Sequence, residues 1–427
     1  MYISVLDSDF WQEIWSSLKK NKLRTFLTSF GIFWGIFMLV VMAGAGQGLA
    51  NGITEGFGNF ATNSAFFWTQ PTGEPYKGYK RGRLWDLTND DMAYIKENVK
   101  EIQYIAPRLQ GWRQSNGDNT HYNNKSGSFY IKGDYPSYRN IDPFTVLKGR
   151  FINDIDIMEK RKVCIIGERV EEVLFEKDED PVGKYIKVNG VWFQVVGVFT
   201  PDTQMNFGGD KKESVFIPFT TLQQTYNYGN EVHFFSITAK PGIPVSTVED
   251  KVVKVLKDRH DIAPNDKDGV GHVNVEMQFK QINMLFSGIN ILTWFVGIMT
   301  LFAGVIGVSN IMLVIVRERT HEIGIQRAIG ATPAKIITQI LSESIVLTTL
   351  AGYVGLFLAM MLLEGVSYGL EKAAENPDNT IVLQNPQISF GVGIASLIIL
   401  IIGGALAGLL PAYRAVKMKA IDALRDE

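Results

Sequence analysis

Four long stretches of this sequence contain no charged residue, and they limit the possible folds more than any other feature. They span residues 25–54, 281–316, 344–363 and 379–413, and the last has its apolar body at 388–410. A charged side chain costs about 2.5–3.5 kcal/mol at the middle of a bilayer, and a helix needs about 20 apolar residues to cross it. The sequence therefore predicts four transmembrane helices.

The segment between the first two of these stretches, residues 55–280, is long and polar enough to fold in water. Lys and Arg cluster before the first span, between the second and third, and after the fourth. The loop between the third and fourth spans instead carries four acidic residues and only Lys372. The positive-inside rule places the three basic segments and both termini in the cytoplasm. We therefore predict an α-helical membrane protein with four transmembrane helices and a large mixed α/β extracytoplasmic domain inserted between helices 1 and 2.

These boundaries divide the chain into nine predicted segments. Trp11, Ile14, Trp15 and Leu18 recur at helical spacing ahead of several lysines, which is typical of an amphipathic helix at a membrane surface. The segments are an amphipathic cytoplasmic-face helix (1–24), transmembrane helix 1 (25–54), an extracytoplasmic domain of two subdomains (55–280), transmembrane helix 2 (281–316), a short cytoplasmic helix (317–332), transmembrane helix 3 (333–363), a short extracytoplasmic loop (364–387), transmembrane helix 4 (388–412) and a cytoplasmic tail (413–427).

Local signals predict several elements of the extracytoplasmic domain. Residues 88–91 (TNDD) are a near capping box and residues 246–249 (STVE) a full one, so each predicts the start of a helix. The Asn-Gly pair at 189–190 suits a type I′ turn between two β-rich arms. Apolar and polar residues alternate over residues 273–279, which predicts a half-buried strand leading to the second span.

Motifs of enzyme chemistry are missing from the sequence. The single cysteine, Cys164, excludes an intrachain disulfide and is expected to be a small buried residue. The five histidines lack metal-ligand spacing, and neither a nucleophile elbow nor a phosphate-binding P-loop occurs. We therefore expect no catalytic residues, no metal site, no cofactor of its own and no nucleic-acid partner.

Small residues four positions apart recur in the apolar stretches, notably Gly31 with Gly35 and Gly404 with Gly408. In lipid, such pairs let helices approach closely. We expect them to pack one span against another or against a second subunit, with membrane lipid covering the other faces.

The charged segment RERTHEIGIQRAIGA, residues 317–331, lies between the second and third spans. Gly330 suits the residue after a helix C-cap, Thr332 an N-cap and Pro333 the first position of a new helix. The pattern predicts a short helix with an apolar edge flanked by charges. Such an edge suits a protein partner better than lipid, but the residues alone also permit a plain turn.

Several motifs, taken in order, resemble those of the MacB/FtsX-type ABC transporter permeases over nearly the whole chain. The EIGI at residues 322–325, followed by Ala328 and Gly330, is similar to the coupling helix of that family. LKGRF at 147–151 resembles an outer-domain motif, and LPAYRA at 410–415 resembles the C-terminal pattern. The resemblance implies seven residues that couple to an ATPase: Glu322, Ile323, Gly324, Ile325, Arg327, Ala328 and Gly330.

The resemblance implies the permease subunit of a mechanotransmission-type exporter in a bacterial inner membrane. A separate ABC ATPase subunit would bind ATP and Mg²⁺, and a second copy or paralogue would complete a dimer. Movement of the outer domain would drive efflux of a peptide, drug or lipid-like substrate. Lipoprotein release and an FtsX-like relay that activates a cell-wall hydrolase are the alternatives, and participation of a periplasmic adaptor and an outer-membrane channel stays open. The sequence departs from the family pattern at His321, Gln326 and Ala420.

Overall fold

The computed structural model describes residues 22–111, 118–203, 208–374, 383–388 and 390–417. Residues 54–283 form one compact unit, here named the outer unit, and the remaining described residues form the membrane unit. The amphipathic helix predicted for residues 1–24 lies outside the described residues up to position 21, as does the predicted tail beyond position 417.

The described residues form helices and strands in a mixed order. The helices are α1 (Lys22–Phe57), α2 (Asn89–Asn98), α3 (Asp154–Met158), α4 (Glu168–Leu174), α5 (Phe219–Thr225), α6 (Val245–Arg259), α7 (Val275–Glu318), α8 (Thr320–Ala328), α9 (Pro333–Ala374) and α10 (Phe390–Lys417). The strands are β1 (Ser64–Thr69), β2 (Leu87–Thr88), β3 (Ile102–Gly111), β4 (Thr120–Tyr122), β5 (Lys125–Gly127), β6 (Tyr130–Asp134), β7 (Phe144–Gly149), β8 (Val163–Gly167), β9 (Tyr185–Val188), β10 (Val191–Pro201), β11 (Ser214–Pro218), β12 (Glu231–Val232), β13 (Phe234–Ala239) and β14 (Val270–Asn274).

Helices α1, α7, α9 and α10 are each long and apolar enough to cross a bilayer, which confirms the prediction of four spans. Helix α7 has 44 residues and α9 has 42. At a rise of 1.5 Å per residue they measure about 66 and 63 Å, roughly twice the thickness of a hydrocarbon core. Both helices therefore continue beyond the part that lipid can cover.

Three predicted boundaries are wrong. The strand predicted over residues 273–279 ends at Asn274, and α7 begins at the next residue. The Asn274 side-chain oxygen accepts the Met277 N–H at 3.0 Å and so caps the new helix. The loop predicted at 364–387 is helical as far as Ala374, and α10 continues into the predicted tail 413–427. Charge excludes a residue from lipid but does not end a helix.

Gly31 and Gly35 lie where α1 crosses α7. A Cβ on Gly31 would lie 3.5 Å from the Cα of Gly304, and one on Gly35 would lie 3.3 Å from the Leu301 side chain. The two backbones therefore approach closely, as small residues in lipid permit.

Gly404 and Gly408 lie where α10 crosses α9. A Cβ on Gly404 would lie 3.2 Å from the Cα of Ile345, and one on Gly408 would lie 3.3 Å from the Cα of Leu341. The Ser344 hydroxyl donates a hydrogen bond to the Gly404 carbonyl across the crossing, at 2.8 Å. The four glycines singled out in the sequence thus lie at contacts between helices of this chain.

The outer unit is built on one large sheet, which confirms the prediction of a mixed α/β domain. Among the described residues its strands follow the order β14-β1-β13-β3-β6-β11-β8-β10-β9-β4-β5, with β7 also paired to β10. Strand β11 pairs in parallel with β6, and β10 with β8, whereas the other pairs are antiparallel. Helices α2 and α6 pack against the sheet and contribute Ile95, Val248 and Leu256 to its core. The division of this domain into two subdomains stays a prediction.

The other three predicted local signals each mark an element that forms, but the cap predicted for α6 is wrong. Thr88 and Asp91 form a reciprocal capping box at the start of α2. The turn at 189–190 has positive φ at both residues, as a type I′ hairpin requires. Helix α6 does not use Ser246 as its cap, because it begins at Val245, whose N–H is accepted by the Glu276 carboxylate at 2.6 Å.

Candidate functional site at the turn between α7 and α9

The charged segment folds as a short helix between two long ones. Helix α7 ends at Glu318, α8 covers nine residues, and α9 begins at Pro333. Gly330 has φ +101°, and the N–H groups of Gly330 and Ala331 bond to the carbonyls of Arg327 and Gln326. This pattern is a Schellman motif, so the predicted stop at Gly330 and restart at Pro333 are confirmed.

The nine residues of α8 separate into an exposed face and an inward face. The exposed face consists of His321, Glu322, Ile325 and Ala328 of α8, together with Ile329 directly after it. Ile325 is 39% exposed, and Ile329, which follows the last helical residue, is 82% exposed. At 100° per residue these five positions fall on one side of a helix. Ile325, Ala328 and Ile329 form an apolar edge, and His321 and Glu322 lie beside it.

The inward face of α8 contains three of the seven residues assigned to coupling. Gly324 is buried, and Ile323 packs against the apolar core of the membrane unit. The Arg327 guanidinium donates a hydrogen bond to the Val416 carbonyl in the last turn of α10, at 2.9 Å. A cation at this end of a helix also interacts favourably with its dipole. Of the seven residues, Glu322, Ile325, Ala328 and Gly330 are exposed.

An ion pair holds the start of α8 to α9. The Arg319 guanidinium lies 2.9 Å from the Glu343 carboxylate and 3.6 Å from that of Glu322. Glu343 is only 7% exposed, and no other charged residue of α9 lies between Lys335 and Glu364. Neither Arg319 nor Glu343 was among the predicted site residues. The signal available in the sequence was a lone carboxylate, ten residues after Pro333, at the start of a charge-free stretch.

The outer unit contains a buried charged cluster that the sequence did not reveal. Arg108 and Asp134 form a fully buried ion pair between neighbouring strands β3 and β6. Lys211 lies 2.7 Å from Asp142, and both are buried. Lys132, also buried, donates to the Gly209 carbonyl at 3.1 Å. Burial, together with the nearby Arg108 charge, lowers the pKa of Lys132 to about 7.

No group of three His, Cys, Asp or Glu side chains in the described part of the chain could hold a metal ion. Cys164 is buried, as predicted, and burial raises the pKa of its thiol.

Comparison with known protein families covers both units. A family model for the MacB-like periplasmic core domain matches residues 25–255, and one for the FtsX-like permease C-terminal region matches residues 294–420. The macrolide export ATP-binding/permease protein MacB of Campylobacter fetus is 30% identical over 412 residues, covering 96% of this chain and 60% of that protein.

Two further relatives agree with these matches. MacB of Bdellovibrio bacteriovorus is 28% identical over 342 residues, covering 80% of this chain and 50% of that protein. The uncharacterized ABC transporter permease YknZ of Bacillus subtilis is 26% identical over 343 residues, covering 80% of this chain and 79% of that protein. The chain thus spans half to three fifths of the length of the two MacB proteins.

Proposed function

From the premise that this chain belongs to the MacB/FtsX family of ABC transporter permeases, we propose that it transmits motion from an ATPase inside the cell to the outer unit. The chain is a multi-pass inner-membrane protein with an extracytoplasmic domain, as the four apolar helices and the family assignment establish. In this proposal α8 is the point at which the ATPase binds, and ATP with Mg²⁺ stays on that partner.

The observation that carries the proposal is the two-sided character of α8. Ile325 and Ile329 are exposed, although apolar side chains this large are usually covered in a soluble environment. Glu322 and His321 beside them would be costly in hydrocarbon, so lipid is an unsuitable cover. A protein surface with an apolar pocket and a polar rim would satisfy both groups.

The inward contacts explain how movement of α8 would reach the long helices. Arg319 binds Glu343 of α9, and Arg327 binds the Val416 carbonyl of α10. A displacement of α8 would therefore pull on both helices together. Helix α7 runs without interruption from Val275, directly after β14, to Glu318, directly before α8. Packed helices that move as rigid bodies are a common way of relaying such changes.

We further propose that the function served is export, by a dimer of this chain with a second copy or a paralogue. Relatives named for macrolide export and pyoverdine export support export over lipoprotein release or activation of a hydrolase. Macrolides and pyoverdine are the substrates named for those relatives. A periplasmic adaptor and an outer-membrane channel would fit the same proposal.

The test is retention of the ATPase by tagged full-length variants purified from native membranes. Ile325→Asp places a charge at the centre of the exposed apolar edge, and we expect at least about tenfold less ATPase to co-purify, as for loss of an interface hot spot. Ile325→Val should behave as wild type.

A second control tests whether the position of the added charge, rather than the charge itself, causes the loss of ATPase binding. Thr332→Asp adds the same charge at an exposed residue before Pro333, where aspartate is itself a good N-cap. We expect it to retain the ATPase. Full retention by Ile325→Asp, in a variant that inserts and melts like wild type, would remove α8 from the proposed interface.

A further inference from the structure

The outer unit contains a cavity of about 560 Å³, within the range of small-molecule sites. It lies where β1, β13 and β14 meet the short ribbon formed by β2 and β12. Its walls include Phe66, Trp68 and Phe234 from the large sheet and Asp86, Glu231 and His233 from the ribbon and its flanks. No function described above uses this cavity.

The aromatic wall is held in place by its neighbours. Phe66 is stacked against Phe60, with ring centroids 6.0 Å apart, and its centroid lies 6.5 Å from that of Phe234. The Trp68 indole lies over Gly271 of β14, where any Cβ would clash with its ring. The absence of a side chain at position 271 thus gives the indole its place, so the wall is formed before a ligand arrives.

The polar wall follows from alternation along the ribbon. Leu87 and Val232 pair with each other and point into the core, where each is at most 1% exposed. Successive side chains of a strand point to opposite faces, so Asp86, Glu231 and His233 share the other face. Two carboxylates are thereby brought to one side of the cavity.

The ring of His233 is oriented by the backbone. Its Nδ1 lies 3.0 Å from the backbone nitrogen of Gln110 and 3.1 Å from the carbonyl oxygen of the same residue, and these two contacts fix the plane of the ring. Nε2 lies 3.5 Å from the Glu231 carboxylate.

The charge and shape of the described lining select the ligand class. No lysine or arginine is among these residues, whereas two carboxylates are. An aromatic face, best of all that of Trp, attracts a cation, and carboxylates at the rim add to that attraction. An anion would meet like charge, and a small inorganic cation would leave the apolar wall uncovered.

We propose that this cavity binds an organic cation with an apolar body, with the body against Trp68, Phe66 and Phe234 and the charge towards Asp86 and Glu231. This site is separate from the proposed role of α8. Binding should therefore be unchanged in Ile325→Asp, and failure of one proposal leaves the other standing.

The test uses the full-length chain in a neutral detergent and ethidium, a planar organic cation, followed by fluorescence anisotropy. We expect saturable binding to the wild-type chain. Uncharged phenanthridine, which has the same ring system, should compete only weakly. The double variant Asp86→Asn, Glu231→Gln should weaken ethidium binding about five- to thirtyfold, since it removes two partly exposed charge interactions.

Two controls keep this result specific. Asp258→Asn removes an exposed carboxylate of the same unit that does not line the cavity, and it should bind ethidium as wild type does. Trp68→Phe, which keeps an aromatic face, should bind more tightly than Trp68→Leu. Binding that never saturates, or that the double variant leaves unchanged while it melts like wild type, would overturn the proposal.

Discussion

At the scale of single residues, Glu343 shows how charge is used within the membrane unit. A buried carboxylate is costly, and the Arg319 guanidinium at 2.9 Å offsets that cost through a charge-assisted hydrogen bond. Removing either partner would leave the other charge poorly solvated. This pair stabilises one arrangement of α8 against α9, and Arg327 does the same for α8 against α10. These are positioning residues in the proposed relay.

Lys132 makes a pH-dependent contribution to the stability of the outer unit. It faces Arg108, Asp134, Asp142 and Lys211, and burial lowers its pKa to about 7 from an ordinary value near 10.5. Between pH 7 and pH 10.5, Lys132 is protonated in the unfolded chain and neutral in the folded chain. Its contribution to the free energy of unfolding therefore rises with pH over this range. Below about pH 7 the cost of protonating a buried lysine is present in full.

We therefore predict that Lys132→Met gains more stability at pH 6.5 than at pH 8.5. The difference between the two gains should be about 2 kcal/mol, from about 1.5 pH units above the folded pKa. Thermal melting of the full-length chain at both pH values measures it. The folded-state pKa already includes the difference between the hydrogen bonds that charged and neutral Lys132 donate to Gly209, so this bond adds no separate pH dependence. Equal gains at both pH values would contradict the assignment.

At the scale of elements, the crossing of α9 and α10 depends on glycine. A Cβ on Gly404 would clash with the Thr348 hydroxyl and would press on the Ile345 backbone at 3.2 Å. Gly393, on the same helix, has no heavy atom within 4 Å of its Cβ position. Gly393 therefore serves as a control on the same helix, in its first turn, without the close contact that Gly404 makes.

We predict that Gly404→Ala destabilises the membrane unit by about 1–3 kcal/mol, as overpacking of a close contact does. Gly393→Ala should be neutral or should stabilise by about 0.5–1 kcal/mol, because alanine favours the helix. Thermal melting of the full-length chain in detergent distinguishes them. A loss of stability of equal size in both variants would show that the close contact at the crossing of α9 and α10 is not the cause.

The elements that could be predicted from the sequence are those determined by short-range chemistry. The four spans follow from the absence of charge, and the break between α8 and α9 follows from Gly330 and Pro333. The start of α6 could not be predicted, because the group that accepts the Val245 N–H is Glu276, which lies 31 residues away. A capping box is a pattern of four consecutive residues, so it carries no information about a distant residue such as Glu276.

The sequence predicted the short helix α8 but not which of its residues face outward. Ile323 and Ile325 are chemically identical, and only the packing of α8 on the membrane unit turns one inward and leaves the other exposed. The pairing of Arg319 with Glu343, and that of Arg108 with Asp134, join residues 24 and 26 positions apart. No local pattern specifies such pairs, because they depend on how the elements meet.

At the scale of the whole molecule, the proposal connects an ATPase in the cytoplasm to the outer unit through continuous helices. Helix α7 is far longer than a bilayer requires, and α8 is bonded to both α9 and α10. If these bonds carry the motion, weakening them should leave the ATPase bound and active while the outer unit no longer responds.

The decisive experiment is fluorescence resonance energy transfer between dyes on Lys254→Cys and Tyr368→Cys, two exposed positions, in a chain whose native Cys164 is buried. The chain would be studied in nanodiscs with its co-purified ATPase, with and without ATP and Mg²⁺. We expect ATP to change the transfer efficiency. Adding Arg327→Gln and Glu343→Gln should reduce that change to less than about half while ATP is still hydrolysed, because the positioning contacts of α8 are weakened. An unchanged response in this variant, or no response to ATP in the parent chain, would contradict mechanical transmission through α8.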